Sequence, residues 1–121
     1  MGANSEEQER AAALNQALRR EVNERRLETR EGALIEFVCE CSDPRCHELV
    51  SLTVDECEFV RRVPNRFVVR VGHTHRRSER VLIEEPGRFQ VLEVHGPGED
   101  VVAHLDPRRR RRRRPAKRTR A

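Results

Sequence analysis

Three cysteines within eight positions, Cys39-x-Cys41-x4-Cys46, restrict what this chain can become more than any other feature. They matter because the material for an ordinary core is scarce. The 121 residues contain four phenylalanines (Phe37, Phe59, Phe67 and Phe89) and no Trp or Tyr, while 38% of the residues are charged. Val, Leu and Ile must supply most of the buried surface. A single domain of about 100 residues has a thin stability margin even with a full core. Chains of this kind are commonly stapled by a disulfide, a metal or a partner.

The compartment favours the metal. Met1 to Arg30 contains no apolar signal-peptide core, and no stretch approaches the roughly 18–20 apolar residues of a membrane span. The expectation is a cytoplasmic protein with reduced thiols and no membrane association. Lys117 is the single lysine beside 24 arginines, a bias that with abundant Ala, Gly, Pro and Val indicates a GC-rich bacterial genome. Charge is divided sharply. Residues 1–106 hold 15 arginines against 21 carboxylates, a net of −6, and residues 107–121 hold nine arginines and one lysine, a net of +10.

The pattern predicts an α+β fold: an N-terminal helix, a small, mostly antiparallel sheet with one short helix, a zinc-ribbon or knuckle-like site, and a disordered C-terminal tail. Three segments follow: an amphipathic helix over 1–31, a zinc-binding domain over 32–105 and an Arg-rich tail over 106–121. Ser5 with Gln8 fits a capping box. Glu6, Glu7 and Glu9 precede Arg25, Arg26 and Arg30 in the order a helix dipole favours. The helix carries a narrow apolar stripe, Ala11, Leu14, Leu18 and Val22 with Ala17 beside it, read as covering a groove or pairing with a partner or a second copy. Strands are expected over Ala33–Cys41, His47–Leu52, Arg66–Val71, Arg80–Glu85, Arg88–Val94 and Val101–Leu105. Thr53 with Glu56 opens a short helix to about Arg62, and Pro86-Gly87 suits a type II turn.

Period two places Cys39 and Cys41 on one strand face, and Ser42-Asp-Pro-Arg45 turns the chain so that Cys46 returns toward them. Neighbouring same-face thiols make a poor disulfide. Zn2+, which prefers four tetrahedral ligands and accepts thiolates, suits the set. The fourth ligand is open. His73, which follows Gly72 at a strand end, is the first candidate; His75 and His47 are alternatives, and Cys57 is also possible. The spacing of Cys57 with Val54 and Val60 marks it as core-facing.

The run Phe37-Val-Cys-Glu-Cys-Ser-Asp-Pro-x-Cys46, followed by Leu52-Thr, Val60-Arg, Arg66-Phe-Val-Val, Gly72-His and Glu79-Arg-Val, resembles a group of small uncharacterised actinobacterial proteins. The resemblance covers Glu21 to Val94, and Arg20-Glu-Val-Asn-Glu-Arg25 belongs with it. It implies Cys39, Cys41, Cys46 and His73 as the matched polar set and a core role for Cys57, whose place often holds an aromatic in that group. It implies no activity.

Catalysis is not expected. Three thiolates weaken the Lewis acidity of a bound ion, no nucleophile has an orienting partner, and no phosphate-binding Gly-rich loop occurs. His73-x-His75 with Glu79 only imitates a small metallohydrolase site. The expected role is a non-catalytic interaction or regulatory module. A second reading is non-specific nucleic-acid contact through Arg108, Arg109, Arg110, Arg111, Arg112, Arg113, Arg114, Lys117, Arg118 and Arg120. The acidic body lacks the aromatics that would stack exposed bases.

Overall fold

A computed structural model describes residues 5–29 and 32–109. Helix α1 (Ser5–Glu28) leads into strand β1 (Leu34–Val38), which pairs antiparallel with β2 (Leu49–Thr53). Helix α2 (Val54–Arg61) follows at once. Its Thr53 hydroxyl accepts from the Glu56 N–H and the Glu56 carboxylate accepts from the Thr53 N–H, the expected reciprocal cap. Then come β3 (Arg66–Val69), β4 (Glu79–Glu85) and β5 (Phe89–Val94), with β5 in the centre of a second antiparallel sheet. The strands thus form two small sheets. At Pro86-Gly87 the expected turn is present, with Gly87 at φ +73° and the Arg88 N–H donating to the Glu85 carbonyl.

Two expectations are corrected. Val101–Leu105 is not a strand: a 3-10 turn over Gly96–Gly98 runs into α3 (Glu99–His104). A short apolar run does not distinguish the two states, and Glu99 and Asp100 in the first turn suit a helix dipole. The second correction concerns α1 and only the reading in which its stripe covers a groove of this fold; exposure of the stripe leaves pairing with a partner or a second copy as it was. Leu14, Leu18 and Val22, read as its packing stripe, are 43%, 55% and 46% exposed. The helix instead buries Ala13, Gln16, Ala17, Arg20, Asn23, Glu24 and Leu27.

The polar inward face is hydrogen-bonded to the rest of the fold, as burial requires, with Arg20 Nε left without a hydrogen-bond partner. Arg20 donates to the carbonyls of Pro64 at 2.5 Å and Val102 at 2.7 Å and lies over the Phe67 ring. Burial pulls its guanidinium down to about 10, which leaves it charged at neutral pH. Around this face the apolar residues form two clusters. One joins both sheets through Phe37, Leu52, Val68 and Leu92, and the other sets Ala13 and Ala17 against Phe67, Val94 and Val102. Because Phe67 and Val68 point to opposite sides of β3, that strand ties the clusters together.

Candidate metal centre

The cysteine segment begins where β1 ends. The Cys39 N–H still donates to the Glu48 carbonyl at 3.0 Å, so Cys39 stays in ladder geometry although the strand proper has stopped. The next peptide changes sheets: the Glu40 N–H donates to the Val68 carbonyl on β3 at 2.9 Å. Cys39 and Cys41 therefore occupy the seam between the two sheets, facing one way. Cys46 is returned by the expected turn, in which the Arg45 N–H donates to the Asp43 carboxylate and the Cys46 N–H to the Asp43 carbonyl.

The histidine arrives from β3. Its turn closes with the His73 N–H donating to the Arg70 carbonyl at 3.0 Å. Gly72, at φ +90°, occupies the position that side-chain-bearing residues avoid. This brings His73 Nδ1 to 3.5 Å from Cys39 Sγ and 3.6 Å from Cys46 Sγ. The ligand atoms of Cys39, Cys41, Cys46 and His73 all lie within 4.8 Å of one another, and the four can hold a metal ion. All four cysteines are free thiols.

Of the alternatives, Cys57 falls elsewhere, while His47 and His75 border the cluster, His75 with its side chain hydrogen-bonded to Cys41. Cys57 is buried in the core, where burial raises its thiol to about 11. His47 is exposed and lines an open cleft of about 740 Å³ that also reaches Cys46 and His73. His75 stands beside the site, its ring centroid 5.8 Å from that of His73, and its backbone N–H donates to the Glu79 carboxylate. Among the described residues no other His, Cys or carboxylate joins the cluster.

Electrostatics at the centre favour thiolate. A hydrogen bond from the Cys39 thiol holds Cys41 down at about 4, with His73 acting in the same direction, and the same bond with burial pushes Cys39 above its ordinary value. The Arg70 N–H donates to Cys39 Sγ at 3.3 Å, and the Arg19 guanidinium lies 3.8 Å from Cys41 Sγ. A thiolate collects such donors; a merely apolar cysteine does not need them.

Sequence reasoning missed the residues that hold these ligands in place. Glu40 lies between the two cysteines and, by alternation, points away from them into the protein. Fully buried, its carboxylate accepts from both terminal nitrogens of Arg61, from Asn23 at 2.7 Å and from the Val68 N–H at 3.0 Å. Helix α1 grips the same segment by its backbone. Asn23 both donates to the Val38 carbonyl and accepts from the Val38 N–H, Gln16 donates to the Glu40 carbonyl, and Arg19 donates to the Cys39 carbonyl. It also secures the histidine loop, where Arg76 bonds Glu9, Gln16 and Glu79. The signal for these contacts was present: Gln16, Arg20 and Asn23 recur at helical spacing opposite the leucine stripe.

The basic residues divide. Arg108 does not face solvent freely but bonds Glu24 and Glu58, and Arg109 donates to the Ala103 carbonyl. Arg110, Arg111, Arg112, Arg113, Arg114, Lys117, Arg118 and Arg120 lie outside the described residues. Among the described residues no helix is long and apolar enough to cross a membrane. No protein-family model, curated protein or solved structure matches the chain.

Proposed function

We propose that this chain is a non-catalytic interaction or regulatory module whose fold is fastened by zinc on Cys39, Cys41, Cys46 and His73. The distances carry the reading. Two ligands at about 2.3 Å (thiolate) and about 2.0–2.1 Å (imidazole) from a shared ion, at a tetrahedral angle, stand about 3.5–3.6 Å apart. The two sulfur-to-nitrogen separations at His73 are 3.5 and 3.6 Å. A closed set of three thiolates and one imidazole is the donor chemistry of structural zinc, with no position left for substrate. The resemblance to the actinobacterial group implies the same four residues.

The role follows from what zinc does for a chain so poor in aromatic residues. Structural zinc contributes an apparent 10–16 kcal/mol in small zinc peptides, comparable to a whole domain's stability. Elemental analysis of purified protein, with thiol counting before and after chelation, tests the assignment. One zinc per chain and four thiols newly reactive on chelation are expected, the three ligands and Cys57, which leaves the core as the domain unfolds. Cys46→Ser should lose both zinc and cooperative unfolding, and a variant that keeps both defeats the proposal.

Nucleic-acid contact through the tail is a second, separable reading, supported by nine basic residues from Arg109 to Arg120 once Arg108 is assigned to the fold. If all nine met duplex phosphates, log K would fall with log salt at a slope of about −8. Deleting residues 110–121 should abolish such binding, and binding that persists points to the folded body.

A further inference from the structure

Helix α1 is amphipathic in reverse. Its docked face is largely polar, and Ala11, Leu14, Leu18 and Val22 occupy the opposite side. At 3.6 residues per turn these four fall within an arc of about 80°, whose centre lies about 160° from that of the buried face. One exposed leucine needs no explanation, but three large apolar side chains on successive turns form a surface with nothing in the described fold against it.

The ends of the arc indicate what would cover it. Glu7, one turn before Ala11, and Arg25, one turn after Val22, lie in the same arc and are exposed. The stripe is acidic at one end and basic at the other, so it complements itself when reversed. With two helices antiparallel and centred between Leu14 and Leu18, each Leu14 meets Leu18 of the second copy. Glu7 then lies across from Arg25 of the second copy at both ends. Parallel pairing would set Glu7 against Glu7 and Arg25 against Arg25. The antiparallel arrangement also opposes the helix dipoles favourably. The Arg-rich tail is a poor alternative occupant, since Pro115, Ala116 and Ala121 are its sole non-polar residues after Pro107.

We propose that α1 pairs with α1 of a second copy, antiparallel and two-fold symmetric, through Leu14, Leu18 and Val22 with Glu7–Arg25 pairs at the ends. This names the partner for the interaction module described above. It leaves the metal centre free, because Gln16 and Asn23 face the other way and Arg19 reaches the cysteine carbonyls from the flank, about 100° from the centre of the stripe. Three large side chains per copy make a small interface of the weak class.

Sedimentation velocity of the full chain over a concentration series tests the pairing, with zinc content measured on the same sample. A reversible monomer–dimer equilibrium is expected. Leu18→Glu, at an exposed position, should weaken dimerisation by about thirtyfold or more, the factor carried by a central interface anchor. Circular dichroism and zinc content should stay unchanged. Glu7→Arg and Arg25→Glu should each weaken it, and the double variant should restore it, a rescue that a parallel pair cannot show. A chain monomeric at every concentration, a dimer indifferent to Leu18→Glu, or charge swaps without rescue overturns the proposal. A folded dimer without zinc would remove the metal reading and leave this one standing; a zinc-loaded monomer would do the reverse.

Discussion

Glu40 shows how much of this centre depends on residues that never face it. Between two cysteines able to hold a metal ion a carboxylate would repel their thiolates if it turned the same way, and strand alternation sends it instead to Arg61, Asn23 and the Val68 N–H. Buried with Arg61 and Glu24, it belongs to an ionic cluster in which removing one partner leaves a charge uncompensated. Glu40→Ala should cost about 3–5 kcal/mol in chemical denaturation. Adding Arg61→Met should recover part of that loss, and strict additivity of the two would show that the groups are not coupled. Cys41 provides a pH expectation. Its folded-state value of about 4 lies below the ordinary thiol value of 9.0, so its ionisation contributes stability fully above the latter, lost as pH falls through the former. A metal enlarges the effect, because Cys39 must also lose its proton to bind it. The thermal midpoint of zinc-loaded protein should therefore fall on acidification from pH 7 toward about 4, with zinc released in parallel. A midpoint unchanged over that range would contradict the assignment.

Between elements, the 3-10 turn approaches α1 closely. A methyl group on Gly98 would meet Ala13 Cβ at 2.6 Å and the Glu9 carbonyl oxygen at 3.0 Å. Gly98 has an ordinary φ of −84°, so space, not backbone freedom, is what requires glycine here. Gly98→Ala should destabilise by about 1–3 kcal/mol, as overpacking does. Ala13→Gly should relieve only part of it, because the Glu9 backbone cannot withdraw, and complete rescue would show that contact to be soft. These contacts also explain what the chain disclosed beforehand. The Thr53–Glu56 cap, the Pro86-Gly87 turn and the Cys39-x-Cys41-x4-Cys46 cluster depend on residues a few positions apart, and all were legible. The orientation of α1 was not, because hydrophobic periodicity assumes that leucines face the core. Here the backbone carbonyls of the cysteine segment and the buried Glu40 need donors, so Gln16, Arg20 and Asn23 turn inward and the leucines are left outside. His73 was legible only as one of several candidates, since its distance from the cysteines depends on the Arg70–His73 turn.

At the scale of the whole molecule, distant parts of the chain close on the same few groups. Arg108, near the end of the described residues, reaches Glu24 on α1 and Glu58 on α2, and Glu24 in turn contacts Arg61 and so Glu40. Arg108→Ala should therefore lower stability by about 1–2 kcal/mol, with the half-exposed Glu58 keeping the figure modest. Arg109→Ala, which loses one backbone contact, should be nearly neutral in the same denaturation assay; equal effects would deny Arg108 its structural role. The same connectivity bears on how the proposed zinc would act. Cys39 and Cys41 belong to the larger apolar cluster, Glu40 between them bonds β3 and α2, and β3 enters the second cluster through Phe67. Nothing in that arrangement lets the centre open while the remainder stays intact. Zinc should accordingly shift one transition for the whole domain, with stability rising as RT ln(1 + [Zn]/Kd). Calorimetry at a series of buffered zinc concentrations reads this directly. A single peak moving upward with zinc is expected, whereas a fixed main peak beside a small zinc-dependent one would mean that the ion secures only its own loops.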